Sequence, residues 1–369
     1  MRIVLVGPVY PYRGGIAHFT FTLAQQLEAS RHDVHIISYH RQYPAKLYPG
    51  RTDKDPSKHS NPKNVVYIID GINPLSWVKT VRHIRILQPD IVLLQWWTTY
   101  WAFFNAVVSY YLQRYNIPII YIIHNAMPHE STMFDRWLTK IALSQANKFI
   151  TLSKRELNRL QGLITNKTIK TAPLPFFHLL AKEKYEKHAA LRELGLPPDT
   201  PIILFFGIVR KYKGVVVLIK AIANLISRGK KVYLVIAGEF WKDKDIYLNL
   251  IKNNHLTNIV TIDDRYIPDE QVALYFSAAN VYVAPYTAGS QSAAIRIAIA
   301  YGLPIVLSDV IYDEELFEPL DAYPLFVIPS GDYLALAQAI EKAIVLPPSN
   351  PKINDGWANL IKTIEGLVK

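Results

Sequence analysis

Short apolar runs and helix-length amphipathic segments alternate along almost the whole chain. In the first half, the runs at 2–7, 33–38, 65–69, 90–95, 118–123 and 148–152 have the length and β-branched content of strands. Between them, residues near 16–29, 74–87, 100–115, 131–146 and 154–161 read as helices. The second half repeats the scheme, with strands at 201–206, 232–237, 258–262, 280–284, 304–307 and 325–328 and helices between. Such alternation predicts parallel sheets covered on both faces, and its repetition predicts an α/β chain of two doubly wound domains. A length of 369 residues agrees, because one hydrophobic core rarely serves so long a chain.

The boundary falls near 172–200, where "APLPFF" and "LGLPPDTP" cluster prolines around a charged helix. We place one domain at 1–180, a second at 181–350, and a last segment at 351–369. That segment, with N-cap Asp355 in "DGWANLIKTIEGLVK", has apolar residues at helical spacing and is expected to pack back on the first domain. The polar, proline-rich stretch 40–63 reads as a mobile surface loop of the first domain.

Between Asp90 and Arg114 no residue is charged, and "IVLLQWWTTYWAFFNAVVSYYLQ" is long enough to span a bilayer. Gln95, Thr98, Thr99, Asn105 and Ser109 interrupt it, so a buried strand, a short loop and an apolar helix are expected instead. A remaining alternative has Trp96, Trp97, Tyr100, Trp101 and Phe103 partly facing outward, toward lipid headgroups.

Half of the residues are apolar and 19% are charged, which describes a folded protein. The absence of cysteine excludes disulfides and thiolate metal sites and is compatible with a reducing compartment. The start, MRIVLVGPVY, lacks the features of a signal peptide and reads as a first strand. Charge is uneven: residues 1–185 hold 23 Lys/Arg against 10 Asp/Glu, and residues 186–369 hold 18 against 20. A basic half attracts an anionic membrane, a nucleic acid or a phosphorylated substrate. Nucleic acid is disfavoured, since the chain has no zinc-finger spacing, RNP-type motif or basic helix with heptads.

In doubly wound folds ligands sit beyond the carboxyl ends of the strands. After the first strand, Gly14 and Gly15 precede a helix, where backbone amides can approach an anion or simply form a tight turn. His18 reads as structural. The fifth strand ends in His124 and Asn125, placed to contact a sugar hydroxyl or a phosphate, or else packed as structure; His129 and Glu130 follow with weaker claims. The second domain opens "ILFFGIVRKYKG", where Arg210 and Lys213 beside a helix start can clamp a diphosphate. Around "YTAGSQSAAIRIAIAYGLPIVLSD", a turn of small polar residues starts a helix with one charge, Arg296. The "DKD" tracts at 53–55 and 243–245 read as surface, and no metal site is expected.

In order and spacing, "GPVYPYRGGIAHFT", "IIHN", "FFGIVRKYKGVVVLIKA", "VIAGE", "IPDEQVALYFSAANVYVAPY" and "QSAAIRIAIAYGLPIVLSD" resemble the family 4 retaining glycosyltransferases of the GT-B fold. The resemblance implies two facing Rossmann-like domains, the second holding a nucleotide sugar and the first mainly the acceptor. It sets the Gly14–Gly15 loop against the donor diphosphate, His124 near the reaction centre and Lys213 on the diphosphate. Arg210 stands two residues beyond the usual arginine position, which Ile208 occupies. The backbone around Arg265, Tyr266 and Ile267 matches the segment that recognises the base. Gly207, Gly238, Gly289, Ser290, Gln291, Ser292 and Ala293 complete the donor set. Many members carry two glutamates with seven residues between them on this helix; Gly289 and Ile297 stand there instead, as in a variant with a "Q-S-A" turn.

The resemblance implies metal-independent transfer of a hexose, with retention, from a UDP- or GDP-linked sugar to a saccharide or lipid-linked acceptor. No cofactor is expected beyond this co-substrate, and the role is expected in cell-envelope glycan or glycolipid synthesis. The alternative suggested by the missing glutamates is a non-catalytic GT-B scaffold that binds a nucleotide or a partner. An NAD-dependent oxidoreductase is disfavoured, because the dinucleotide fingerprint is missing. A cytoplasmic location is expected, with peripheral attachment to the inner face of the membrane through the basic half.

Overall fold

Strand β1 (Arg2–Val6) is buried from Ile3 onward and lies inside a parallel sheet, which is why its apolar run is continuous and not alternating. The computed structural model describes residues 1–58, 63–128, 132–176, 184–289, 291–320 and 322–368. After β1 the first domain continues with α1 (Gly15–Ala29), β2 (Asp33–Arg41), β3 (Val65–Asp70), α2 (Pro74–Leu87), β4 (Ile91–Trp96) and α3 (Ala102–Arg114). β5 (Ile119–Ile123), α4 (Met133–Leu143), β6 (Lys148–Thr151), α5 (Lys154–Gln161) and β7 (Thr168–Thr171) complete it. The seven strands are parallel in the order β3-β2-β1-β4-β5-β6-β7.

The second domain runs through α6 (Lys187–Glu193), β8 (Ile202–Phe206), α7 (Val215–Ser227), β9 (Tyr233–Ala237), α8 (Lys244–Asn253), β10 (Val260–Asp263) and α9 (Asp269–Ala278). It continues with β11 (Val281–Ala284), α10 (Ala293–Tyr301), β12 (Ile305–Ser308), α11 (Glu314–Phe317), β13 (Leu325–Ile328) and α12 (Tyr333–Ala343). Its six strands are parallel in the order β10-β9-β8-β11-β12-β13. Each order reverses beside its first strand, so a ligand crevice opens at the carboxyl edge between β1 and β4 and between β8 and β11.

All twelve expected strands are present. The added strand, β7, is an edge strand of sequence TIKT, too short and polar to register as an apolar run. The expected boundary after residue 180 falls in 177–183, outside the described residues.

The last helix, α13 (Trp357–Val368), packs back on α1 and β6 of the first domain. Trp357 anchors it: the indole lies 5.6 Å from the Phe19 ring and donates to the Phe176 carbonyl at 2.9 Å. Glu365 meets His32 at 3.0 Å, and Lys148 donates to the carbonyl of Leu367.

Two expectations are corrected. The stretch 40–63 is not a loose surface loop up to residue 58, after which 59–62 lie outside the described residues. Gln42, Asp55 and Ser57 are buried, and the segment crosses to the second domain as an arm. The Arg51 amide donates to Glu239 at 2.5 Å, its guanidinium pairs with Asp264 at 2.7 Å, and Ser57 accepts from the Asp269 amide at 2.9 Å. Polar and proline-rich composition signalled the lack of regular structure, but polar groups serve equally well as bonds to a second domain. Of the aromatic residues offered to lipid, Trp96 and Trp101 are buried, Trp97 and Tyr100 are half-buried against Tyr39 and Tyr43, and Phe103 is exposed. Among the described residues no helix is long and apolar enough to cross a membrane.

Replacing Trp357 by Ala removes the buried anchor and its hydrogen bond, so a loss of about 3–5 kcal/mol is expected. A urea midpoint equal to that of the wild type would show that α13 is held by its flanking contacts alone.

Candidate active site

The carboxyl edges of the two sheets face each other across a cavity of about 290 Å³. Its first-domain wall is Gly14, Gly15 and His18; Gly207, Arg210, Lys213 and Gly238 line it from the second domain. Two glycines let this floor close. A Cβ on Gly238, whose φ is +147°, would stand 2.1 Å from the Gly207 carbonyl oxygen, so the turns after β9 and β8 meet backbone to backbone. Gly207 itself has φ +118°, and a Cβ there would lie 3.3 Å from the Lys213 ammonium.

Arg210 and Lys213 enter from the turn between β8 and α7. Lys213 ends a single 3-10 turn closed by Gly214 in the left-handed region. Its side chain is half-buried and lines the cavity. Burial alone disfavours its charge, but the Tyr286 and Tyr212 hydroxyls outweigh that, and its pKa is raised. The ammonium stands 5.2 Å from the Tyr286 ring centroid. The Arg210 guanidinium lies between the rings of Tyr212, at 5.0 Å, and Trp241, at 5.3 Å. Among the described residues no carboxylate forms an ion pair with either cation.

The start of α10 forms another wall. Ser292 occupies the N-cap, but its side chain does not cap the first turn; its hydroxyl lies 3.2 Å from that of Tyr286. Ser292 and Ala293 line the cavity with the helix start, where amides and dipole favour an anion. Gln291 also lines it and donates to the carbonyl of Leu152 in the first domain. Ile297, one of the two glutamate positions in the resemblance, presents an apolar wall. Gly289 is not a lining residue; its carbonyl accepts from Arg155 at 2.7 Å. Ser290, like His129 and Glu130, lies outside the described residues. The helix's single charge, Arg296, is buried and donates to the Leu174 carbonyl at 3.0 Å, away from this cavity.

Tyr266 and Ile267 line the cavity, and the Tyr266 hydroxyl accepts from the Gly14 amide at 3.2 Å, joining the two domains. Arg265 turns aside to Asp263 at 2.8 Å and Gln271 at 2.6 Å, leaving its backbone in the segment.

The structure places His124 behind the site, not among the lining residues. Its ring meets Gln95 at 2.9 Å and stands edge-on to Phe19 at 4.8 Å. Burial pushes the imidazole pKa down to about 3. Apolar packing beneath the loop, which a strand-end position does not reveal, draws it inward.

Sequence reasoning missed several groups. Glu239 lines the cavity and pairs with Arg13, both side chains being almost fully buried; the glutamate of "VIAGE" was the available signal. His18, Asp55 and Asp269 bring a ring nitrogen and two carboxylates within 4.8 Å of one another, a grouping that could hold a metal ion. His18 stands 3.4 Å from Asp269 across the domain interface. These three come from α1, the arm and α9, so no local spacing announces them.

Two facing α/β domains with a cationic, glycine-floored cleft define the GT-B architecture. Residues 13–173 match the model of Glycosyltransferase Family 4, and residues 200–345 match that of Glycosyl transferases group 1. The chain is 26% identical over 272 residues to alpha-D-kanosaminyltransferase of Streptomyces kanamyceticus, covering 70% of this chain and 69% of that protein. It is 23% identical over 341 residues to alpha-monoglucosyldiacylglycerol synthase of Acholeplasma laidlawii, covering 85% and 82%. The structure of Anabaena HepE in complex with UDP-glucose superposes with a TM-score of 0.69 at 17% identity, covering 94% of this chain and 90% of that one. The chain belongs to the family 4-like glycosyltransferases of the GT-B fold, and it is a glycosyltransferase.

The buried His124 ring has a pH consequence. Its pKa lies near 6.5 when unfolded and about 3 when folded, so the stability from burying it neutral is complete above 6.5 and is lost as pH falls toward 3. By NMR its ring signals should show no titration step between pH 8 and 5. A step near pH 6.5 would mean that the ring is open to solvent.

Proposed function

We propose that this glycosyltransferase moves a hexose, with retention, from a nucleotide diphosphate sugar to a hydroxyl of a saccharide or lipid-linked acceptor. The carrying observation is the pair Arg210 and Lys213, facing the cavity without a carboxylate partner among the described residues. Two cations held this way suit a diphosphate. The UDP-glucose named with HepE supports a UDP-linked donor as the first to test, with a GDP-linked sugar second. The diacylglycerol-linked product in the Acholeplasma relative's name supports a lipid-linked acceptor and a cell-envelope role.

In this reading the bond between the anomeric carbon and the β-phosphate oxygen breaks, and negative charge grows on the diphosphate. Arg210, Lys213 and the amides at the start of α10 stabilise that charge, already oriented before the reaction begins. The acceptor oxygen bonds to the face that the phosphate leaves, and its proton passes to the departing phosphate oxygen. Configuration is retained and no protein base is needed. The cations do the work of a metal, so transfer is read as metal-independent. The enzyme is read as cytoplasmic and peripheral on the inner membrane face, through its basic first domain.

Purified enzyme with UDP-glucose and GDP-mannose, followed by NMR of the product anomer, tests the reading; an inverted product would overturn retention. Loss of an interaction worth a few kcal/mol predicts that Lys213→Ala lowers turnover about 10²-fold or more, and unchanged turnover would remove Lys213 from the mechanism. EDTA should leave the wild-type rate unchanged. A metal-restorable loss would instead point to His18, Asp55 and Asp269.

A further inference from the structure

We infer that the outer face of α2, α3 and α4 is the surface by which this protein docks on an anionic bilayer. The inference rests on the peripheral-membrane reading and names the face that carries it. The connections from β3 to β4, β4 to β5 and β5 to β6 run in one direction across the sheet, so right-handed crossovers put all three helices on one side. There α2 packs beside α3, and α3 beside α4.

Their solvent side is apolar in an unusual way. Met133, Phe134 and Trp137 of α4 are 83%, 62% and 51% exposed, and the Phe134 and Trp137 rings stack at 5.5 Å. Tyr110 of α3 and Val78 and Ile86 of α2 are exposed as well. Isolated exposed apolar residues need no explanation, but large ones gathered on adjacent helices do. The three helices also carry Lys79, Arg82, Arg85, Arg114, Arg136 and Lys140, all exposed, against one carboxylate, Asp135. Asp135 is spent locally, in a capping box with Thr132 and a bond to Thr99 at 2.6 Å. Among the described residues none of the six cations forms an ion pair.

Amphipathic rings and a methionine among unneutralised cations match the interfacial zone of an anionic membrane: the rings enter at headgroup depth, and the cations meet phosphates. A second copy of the chain fits poorly, since a two-fold contact would set the six cations against their counterparts. The capping box holds the exposed start of α4 in place. That start follows β5, at the same carboxyl edge as the Gly14–Gly15 loop. Docking on this face therefore sets the cleft mouth next to the bilayer, where a lipid-linked hydroxyl would present itself.

The test is co-sedimentation of the full chain with vesicles of phosphatidylcholine alone or mixed with phosphatidylglycerol, at low salt. Wild type should bind the mixed vesicles. Phe134→Ser/Trp137→Ser should weaken partitioning about tenfold or more, and Arg136→Gln/Lys140→Gln about thirtyfold. Leu248→Ser/Tyr333→Ser, at exposed sites of the second domain, should bind as wild type does. Donor hydrolysis in vesicle-free solution should be alike in all four proteins, which separates loss of docking from misfolding. Wild type that ignores anionic vesicles would overturn the peripheral reading and this face with it, leaving the transferase reading intact. Binding by wild type that both first-domain pairs leave unchanged would overturn this face alone. A mass that doubles with concentration, and no longer does so in Phe134→Ser/Trp137→Ser, would assign the face to a second copy. Binding to an acidic protein without binding to vesicles would likewise overturn it.

Discussion

Holding an ammonium in the wall of a cleft, with no carboxylate partner among the described residues, is the constraint on which the site depends. A charge taken from water and left unpaired is costly, and most enclosed lysines resolve this by forming an ion pair or losing the proton. Lys213 has no ion-pair partner among the described residues, and its pKa is raised, not lowered. It faces the Tyr286 ring, lies over a glycine that offers no Cβ, and opens toward the cavity. Arg210 is treated similarly, between two aromatic faces. The fold leaves both cations lining the cavity, with no carboxylate partner among the described residues. The uncapped start of α10 lines the same cavity.

Such a site needs two walls in register, and connections between the domains supply that. Helix α13 returns to the first domain and is fixed by Trp357. The arm between β2 and β3 crosses in the opposite sense and binds the loops that follow β9 and β10. Tyr266 reaches back to the Gly14 amide. The arm and Tyr266 attach to the turns bordering the cavity, so the separation of the domains and the shape of the site are coupled. The Arg13–Glu239 pair, almost excluded from water, strengthens the coupling, since breaking it by separating the domains would expose or strand a charge.

The elements were legible because buried parallel strands need unbroken apolar runs and their helices need a repeating apolar stripe. Among the described strands only β7 escaped, a short polar strand at a sheet edge. The placement of the glycine turns, Arg210 and Lys213 at the cavity was legible for a related reason: doubly wound sheets open their crevice at strand ends, and sequence marks those ends. His124 shows the limit. It has the right position along the chain, but its ring turns inward, and nothing in "IIHNAMP" distinguishes a side chain that meets Phe19 from one that meets a ligand. The tryptophans after β4 show it again, because composition reports aromatic rings and not which side of a helix they occupy.

By itself the sequence determined two parallel α/β domains, the loops at their strand ends, the two cations and a strongly basic first half. These follow from local periodicity, turn chemistry and charge, which short stretches of chain carry alone. Only the tertiary structure decided that the polar stretch after β2 is a bridging arm, that Glu239 is paired to Arg13, that His18, Asp55 and Asp269 converge, and that exposed rings and cations share one face of α2, α3 and α4. Each of these is a meeting of segments far apart along the chain. Such meetings depend on how sheets twist and helices pack, and no local pattern encodes them.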